Sequence, residues 1–246
     1  MRKIRNFYKK FISQIISVNP RLIKSYLRYF YLLRQYRETS NEKNITLRPI
    51  LGEDTRKTGI DHHYFYQAVW TGNKIAMTAP RRHVDIGSQA LFVGMITVIT
   101  NVTFVDIRPL DATLDKLSNI KGSILNLPFP DNSIESLSCL HVAEHIGLGR
   151  YGDDIDSHGT EKGCKELARV LAPRGKLYFS VPIGKERVEF NAHRVHNPTT
   201  ILSYFKGLKL LEFSAINDEG SFIENADINS FDFAKYSCGL FIFTKQ

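Results

Sequence analysis

The stretch HVDIGSQALFVGMITVITNVTFVD, residues 83–106, indicates how this chain folds. An apolar run at residues 83–86 meets Gly87, and a second run at 101–105 stops at the acid Asp106. Runs of this length that end at turn-forming residues are typical of buried strands. The residues between the two runs suffice for a helix, so the stretch predicts a strand, a helix and a second, parallel strand.

The same alternation continues to the end of the chain. Four further strands are predicted, at Ser133–Leu140, Gly175–Val181, Leu208–Ser214 and Cys238–Thr244. A helix is predicted at Thr160–Leu171, with Cys164 and Leu167 on one face. Strands that alternate with helices imply an α/β fold around a parallel sheet with right-handed crossovers.

The ends of the predicted strands carry the first candidates for a functional site. Ligands of such sheets bind beyond the carboxyl ends of the strands. Four residues follow strand ends in this sequence: Gly87, Asp106, His141 and Pro182.

Composition limits the class of protein. A chain of 246 residues with 43% hydrophobic residues can bury one sizeable core. Its three cysteines, Cys139, Cys164 and Cys238, lie far apart and lack the paired spacing of zinc ligands. We therefore expect neither a disulfide framework nor a zinc ribbon, and a cytoplasmic location is favoured.

The excess positive charge lies in an N-terminal arm. The first 37 residues carry ten basic and no acidic side chains, whereas the rest of the chain carries 23 basic and 25 acidic ones. Apolar residues recur at spacings of three and four on both sides of Asn19–Pro20, which predicts two amphipathic helices. Such helices pack on the body of the protein, lie on an anionic membrane surface, or bind nucleic acid. Their apolar runs are too short to span a bilayer.

The sequence divides into three predicted parts. Residues 1–40 form the basic helical arm, and residues 41–82 form a connector, rich in turn signals, that ends in a helix covering the next domain. Residues 83–246 form the main α/β domain.

Three longer motifs carry a resemblance to a known superfamily. They are LPFPDNSIE (127–135), HVAEH (141–145) and ELARVLAPRGKL (166–177). Their order and spacing resemble those of the class I S-adenosylmethionine-dependent methyltransferases. The resemblance implies a Rossmann-like, seven-stranded sheet whose last two strands form an antiparallel hairpin, and it implies methyl transfer as the activity.

Four shorter motifs narrow the resemblance. HVDIGS (83–88), DIRP (106–109), GLGRYGD (147–153) and FNAHR (190–194) are similar to a little-characterised methyltransferase-like family of unknown function. Some members of that family are associated with surface-glycan synthesis. The resemblance therefore implies a role in polysaccharide biosynthesis.

The resemblance also implies S-adenosylmethionine as cofactor. A glycine-rich turn after the first strand lets backbone approach the methionine part, and an acid ending the second strand accepts hydrogen bonds from the ribose. Here the turn reads DIGSQAL (85–91), so two of three expected glycines are missing, and Gln89 or Leu91 could fill the pocket. Ser123 stands where an acid often recognises adenine. The implied cofactor-binding residues are Asp85, Gly87, Ser88, Asp106, Leu125 and Asn126.

The stretch HVAEH, His141–His145, allows three interpretations. It satisfies the H-x-x-E-H motif of inverted zinc proteases, but that motif belongs within a helix, whereas His141 follows a strand. Some class I O-methyltransferases hold a divalent ion with E-x-x-E-H at this location; a histidine in first place favours zinc, manganese or iron over magnesium. Without metal, either histidine could act as general base. We predict His141, Glu144 and His145 as catalytic residues and as candidate metal ligands.

Two segments are expected to border the acceptor. The glycine-rich run 147–152 indicates a flexible loop, from which Arg150 and Tyr151 would hold an anionic or sugar substrate. After the fourth predicted strand, His193 and Arg194 would orient the acceptor, the arginine by paired hydrogen bonds to a phosphate or carboxylate. The alternatives are a solvated acidic turn for the first segment and a surface helix cap for the second.

These expectations combine into one predicted function with two alternatives. The chain is expected to be an S-adenosylmethionine-dependent O-methyltransferase that acts on a glycan or glycan precursor, in the cytoplasm or as a peripheral protein at the membrane. The first alternative is a catalytically inactive binding or scaffold protein on the same fold. The second is a nucleic-acid methyltransferase, which predicts steeply salt-dependent affinity for RNA or DNA.

Overall fold

The computed structural model describes residues 20–246, and the chain divides into a unit that ends at Gly59 and a unit that spans Ile60–Gln246. The first unit contains helix α1, Pro20–Thr39, followed by residues 40–59, which form neither helix nor strand. Helix α1 corresponds to the second of the two predicted arm helices. The first predicted helix lies outside the described residues.

Helix α1 carries many exposed apolar side chains. Leu27 is 68% exposed and Phe30 is 54% exposed, and the basic residue Arg28 forms an ion pair with Asp54. Among residues 20–246, no helix is both long and apolar enough to cross a membrane.

The second unit is built around a mixed β-sheet. The strands in chain order are β1 (Arg82–Ile86), β2 (Asn101–Asp106), β3 (Leu117–Lys121), β4 (Ile134–Leu140), β5 (Leu171–Ile183), β6 (Arg187–Glu189), β7 (His193–Val195), β8 (Leu208–Ile216), β9 (Phe222–Ile223) and β10 (Ser237–Lys245). In space the sheet has the order β3-β2-β1-β4-β5-β10-β8-β9, and β6 and β7 form a separate hairpin.

Strands β1 to β5 pair in parallel, whereas β10 runs antiparallel between β5 and β8. The predicted Rossmann-like α/β fold with an antiparallel C-terminal pair is therefore confirmed. All six strands read from the sequence are present. The sequence did not predict β3 as a strand, because it lies at the sheet edge and its residues, LSNIK, are mostly polar and exposed. The two-residue strand β9 was also missed.

Helices cover both faces of the sheet. They are α2 (His62–Thr78), α3 (Ala90–Ile96), α4 (Gly159–Val170) and α5 (Pro198–Tyr204), with 3-10 turns at Ala143–His145 and Ile228–Phe231. On one face, Leu167 of α4 packs in a buried cluster with Leu137 of the sheet. On the other face, Trp70 of α2 and Phe92 of α3 pack in a cluster with Leu140. The sheet is thus buried on both sides, as its continuous apolar strands require.

Helix α2 belongs to the same compact unit as the sheet. Asp61 caps its first turn by accepting a hydrogen bond from the Tyr64 amide. Further along, Trp70 Nε1 and Lys74 Nζ donate to the two carboxylate oxygens of Glu212 on β8, at 3.1 and 2.6 Å. These contacts fix the helix on the sheet. The predicted domain boundaries at residues 40 and 82 stay predictions.

Two of the family-like motifs hold each other in place. The Leu127 amide donates to Glu166 Oε1 of α4 at 2.7 Å. Arg169 of the same helix donates to the carbonyls of Leu127 and Phe129, at 3.2 and 3.0 Å, and forms ion pairs with Glu166 and Asp131. This clamp explains why LPF and E-x-x-R occur together in the sequence, since each satisfies the polar groups of the other.

Candidate functional site

The turn after β1 is held by two of the predicted cofactor residues. Asp85 is fully buried; its carboxylate accepts hydrogen bonds from the Ser88 amide, at 3.0 Å, and from the Ser138 hydroxyl. Burial raises the pKa of Asp85 to about 6. The Ser88 hydroxyl in turn accepts from the Leu140 amide at 3.1 Å. Asp85 and Ser88 therefore join the turn to β4, and neither lines a cavity of the site.

Gly87 lies where a side chain would not fit. Its φ of +66° is in the left-handed region, and a β-carbon there would lie 3.1 Å from Asp106 Oδ2 and 3.2 Å from a methyl group of Val142. This is the one glycine kept from the expected turn. Gln89 and Leu91 do not fill the space beside it; Leu91 is 77% exposed and both residues line a different groove.

A small cavity of about 110 Å³ opens at the carboxyl ends of β1, β2 and β4. Gly87 and Asp106 form part of its wall, and Leu125 forms another. Asp106 Oδ1 accepts a hydrogen bond from the Arg108 amide at 2.7 Å, while residues 20–246 give Oδ2 no donor. Asn126 does not line this cavity, although the sequence predicted it to bind the cofactor.

The loop after the 3-10 turn covers the small cavity. Tyr151 lines it, and the Arg108 guanidinium lies 4.4 Å from the centre of the Tyr151 ring. Asp153 shapes the loop by accepting hydrogen bonds from the amides of Gly147 and Tyr151, at 2.6 and 3.2 Å. The predicted loop over the site is present, with Tyr151 on the side of the small cavity.

A larger cavity of about 650 Å³ lies beside the small one. Its wall is polar and includes Glu144, Arg150 and His193, as well as acidic residues of the turn at 217–220. His141 and His145 line both cavities. A ligand in one cavity would therefore meet a ligand in the other at these two imidazoles.

His141 and Glu144 form a buried pair. His141 has a left-handed φ of +54°, and its amide donates to the Ser180 carbonyl at 2.9 Å. Its Nδ1 lies 2.8 Å from Glu144 Oε1. Burial alone would lower the pKa of His141, but the nearby charges of Cys238 and Glu144 and the hydrogen bond to Glu144 raise it to about 10. Burial raises the pKa of Glu144, and the neighbouring His141 outweighs it and lowers that pKa overall.

The contacts of His145 favour one tautomer. Its Nδ1 lies 2.7 Å from the carbonyl oxygen of Ala192 and 3.3 Å from Arg150 Nη1. The shorter contact is to a carbonyl, which can only accept, so it favours the tautomer that carries the proton on Nδ1 and the lone pair on Nε2. Arg150 donates to the same Ala192 carbonyl at 2.9 Å. These contacts bring Arg150 and His145 together at the cavity wall.

Arg194 corrects one expectation. Its side chain is buried, and its guanidinium donates to the carbonyls of Ile146 and Asp156, at 2.5 and 3.0 Å. It lines neither cavity. The structure thus gives Arg194 the task of holding the loop that precedes α4, because its buried guanidinium is bonded to the backbone carbonyls of that loop and does not reach an acceptor in either cavity.

The site also contains residues that sequence reasoning missed. His62, His63 and Tyr64 at the start of α2 line the larger cavity, together with Tyr236 just before β10. The His63 ring stacks on both His141 and Tyr236, with centroids 5.5 and 5.1 Å away. The signal in the sequence is the adjacent pair His62–His63 directly after the helix cap Asp61, at the start of the helix that was predicted only as a cover for the next domain.

The structure groups potential metal ligands differently from the sequence. Glu144 Oε1 lies 3.8 Å from His145 Nε2, but the predicted set of His141, Glu144 and His145 does not converge within 4.8 Å. Among residues 20–246, the His, Cys, Asp and Glu side chains whose ligand atoms do converge within that distance are His63, His141 and Cys238.

Comparison with known proteins agrees with this architecture. The N-methyltransferase NodS from Bradyrhizobium japonicum, solved in complex with S-adenosylhomocysteine, is 13% identical with a TM-score of 0.51, over 74% of this chain and 87% of that one. The 1,6-didemethyltoxoflavin-N1-methyltransferase from Burkholderia thailandensis, solved with 1,6-didemethyltoxoflavin and S-adenosylhomocysteine, is 9% identical with a TM-score of 0.53, over 73% and 79%. At these identities the likeness establishes the fold.

Sequence comparison gives the family. No curated protein matches the chain. The family model described as "Caenorhabditis protein of unknown function, DUF268" matches residues 88–238. The fold is that of the class I S-adenosylmethionine-dependent methyltransferases, and, since the family model covers more than half of its length, the chain belongs to the DUF268 family.

Proposed function

We propose that this protein is an S-adenosylmethionine-dependent methyltransferase. The observation that carries the proposal is the pair of adjoining cavities with His141 and His145 in both walls. The smaller cavity lies at the strand ends where Rossmann-like sheets bind their nucleotides. The larger one has a volume typical of small-molecule sites.

The residues of the small cavity fit the cofactor. No described residue donates a hydrogen bond to Asp106 Oδ2, so this oxygen suits the hydroxyls of a ribose, and the bare backbone of Gly87 suits the methionine part. Backbone beside Leu125 would bound the adenine. When bound, the cofactor would supply an electrophilic methyl group. The cavity is smaller than a typical ligand site, so we expect Arg108 and Tyr151 to move outward on binding.

The larger cavity favours a polar, hydroxylated acceptor. Imidazoles, a guanidinium and carboxylates line it, and such groups recognise hydroxyls by hydrogen bonding. His145 Nε2 is the group placed to take the hydroxyl proton, because Nδ1 is committed to the Ala192 carbonyl. Arg150 would orient the acceptor beside it. These features support O-methylation of a glycan or glycan precursor.

His145→Gln tests the assigned proton acceptor. A general base contributes about 100-fold or more to a rate, so methyl transfer should fall at least that far. The measurement is mass spectrometry of host glycans, which should lose one methyl increment when the gene is deleted and regain it with wild-type protein only. Full restoration by His145→Gln would contradict the assigned role, and unchanged glycans on deletion would contradict a glycan acceptor.

The depleted glycine turn favours one competing function. A binding or scaffold protein on this fold would tolerate a cavity of about 110 Å³ that no cofactor enters. Binding of S-adenosylhomocysteine separates the two functions, since the scaffold would bind none.

We also infer that the N-terminal arm binds anionic membrane surfaces. Helix α1 exposes Leu27, Phe30 and Tyr31, and the first 37 residues are free of acidic side chains. Each basic residue near such a surface contributes about 1 kcal/mol. The protein should co-sediment with phosphatidylserine vesicles at low salt and release at high salt, and deletion of residues 1–37 should abolish binding. Equal sedimentation of the deletion variant would contradict the inference.

A further inference from the structure

The geometry points to a zinc-binding site formed by His63, His141 and Cys238, a ligand set distinct from the one that the sequence predicted. The three residues come from the start of α2, the end of β4 and the start of β10. One ligand atom of each lies within 4.8 Å of the other two. Zinc bonds of about 2.1 Å to nitrogen and 2.3 Å to sulfur place tetrahedral ligand atoms roughly 3.5 Å apart, so a contraction of at most about 1.3 Å would complete the site.

The unpaired nitrogen of His141 is the strongest indication. The side chain is 4% exposed, and no group among residues 20–246 forms a hydrogen bond with its Nε2, although buried polar atoms are nearly always paired. Its Nδ1 is held by Glu144 at 2.8 Å. This is the arrangement of a carboxylate, a histidine and a metal, in which the carboxylate fixes the ring and leaves the other nitrogen to the ion.

The His63 ring is held in place by its neighbours. It stacks between the rings of His141 and Tyr236, with centroids 5.5 and 5.1 Å away. Glu144 holds the His141 ring through Nδ1. Both imidazoles are therefore oriented before any ion arrives, and this lowers the cost of binding one.

Cys238 completes a ligand set typical of zinc. It is a fully buried free cysteine at the start of β10, and a thiolate with two imidazoles selects a borderline-soft ion such as zinc over magnesium or calcium. His63 and His141 also line the larger cavity, whereas Cys238 does not. Three protein ligands with one side open is the pattern of zinc sites that bind a further ligand. That an acceptor oxygen takes this open position rests on the proposed function; zinc binding itself does not.

Metal content and cobalt spectra of the full chain test the site. We expect one zinc ion per chain after equilibration with zinc and removal of the excess. Cobalt in its place should give a thiolate-to-metal charge-transfer band. Cys238→Ala should remove that band and weaken zinc binding by at least about 100-fold, since it deletes a first ligand. Cys164→Ala, a matched change at another fully buried cysteine, should retain both.

Two further variants make each outcome decisive. If Cys238→Ala does not fold, His63→Ala at the partly exposed ligand should lose zinc while unfolding cooperatively. His145→Ala should bind zinc as the wild type does. No stoichiometric zinc in the wild type would overturn the site. So would zinc that survives Cys238→Ala or His63→Ala but is lost in His145→Ala, a pattern that would indicate the set of His141, Glu144 and His145.

Discussion

Gly87→Ala should weaken cofactor binding at least tenfold, at a cost in stability of about 1–2 kcal/mol. The substitution places a methyl group 3.1 Å from Asp106 Oδ2 and 3.2 and 3.3 Å from the two methyl groups of Val142. Contacts of 3.4–4 Å are ordinary, so at least one neighbour must shift. The left-handed φ of +66° costs an alanine about 1–2 kcal/mol of folding free energy. The new methyl group also occupies the wall along which the methionine part would lie.

Gly152→Ala is the matched control. Gly152 has a similar φ of +83°, lies in the covering loop, and has nothing within 4 Å of an added β-carbon. Both variants should lose about 1–2 kcal/mol in urea unfolding. Only Gly87→Ala should lose affinity for S-adenosylhomocysteine, by at least tenfold, or about 1.4 kcal/mol. Wild-type affinity in Gly87→Ala, or an equal loss in both variants, would refute the reasoning.

Two further predictions concern the scaffold. The ring nitrogens of His83 lie 2.8 Å from the hydroxyls of Ser136 and Ser138, and burial lowers its pKa to about 3. Between pH 7 and pH 5 the His83 side chain of the unfolded chain takes up a proton, because its ordinary pKa is 6.5, whereas the same side chain in the folded protein does not. This difference removes about 2 kcal/mol of the free energy of unfolding. His83→Gln should lose that part of the pH dependence in urea unfolding, and an unchanged dependence would disprove it. Arg169→Ala deletes two hydrogen bonds to backbone carbonyls and should lower the free energy of unfolding by about 1–2 kcal/mol. The control Lys165→Ala breaks an exposed ion pair on the same helix and should have little effect. Equal losses of stability in the two variants, measured by calorimetry, would argue against the clamp.

The sequence predicted what depends on local pattern. The strands that end at Gly87 and Asp106 are apolar runs that stop at turn residues, so their existence and their functional edge could be predicted from pattern alone. The edge strand β3 could not be predicted from pattern, because its residues are mostly polar and its extended conformation depends on pairing with β2.

The site was predictable only in part, because its residues are distant in sequence. His141, Glu144 and His145 lie within one turn, and the structure does bring them to the cavities. His63 and Cys238 reach the same place from α2 and β10, and no spacing rule links them. The lack of paired cysteine spacing therefore does not exclude a metal site whose ligands are distant in sequence.

Motif adjacency misled in the opposite direction. Asp85 and Ser88 neighbour Gly87 in sequence, but their side chains are buried in hydrogen bonds to Ser138 and to the Leu140 amide. Arg194 follows His193 on β7, where successive side chains point to opposite faces, and it lines neither cavity. Membership of one motif therefore does not show which side chains reach a cavity.

Calorimetric titration of the full chain with S-adenosylhomocysteine tests the central claim most directly. The account predicts one molecule bound per chain. Asp106→Asn should weaken binding at least about tenfold, since it removes a charged hydrogen-bond acceptor, while the exposed control Asp115→Asn should bind as the wild type does. Absence of heat in the wild type, together with an unchanged melting temperature at saturating ligand, would contradict the account.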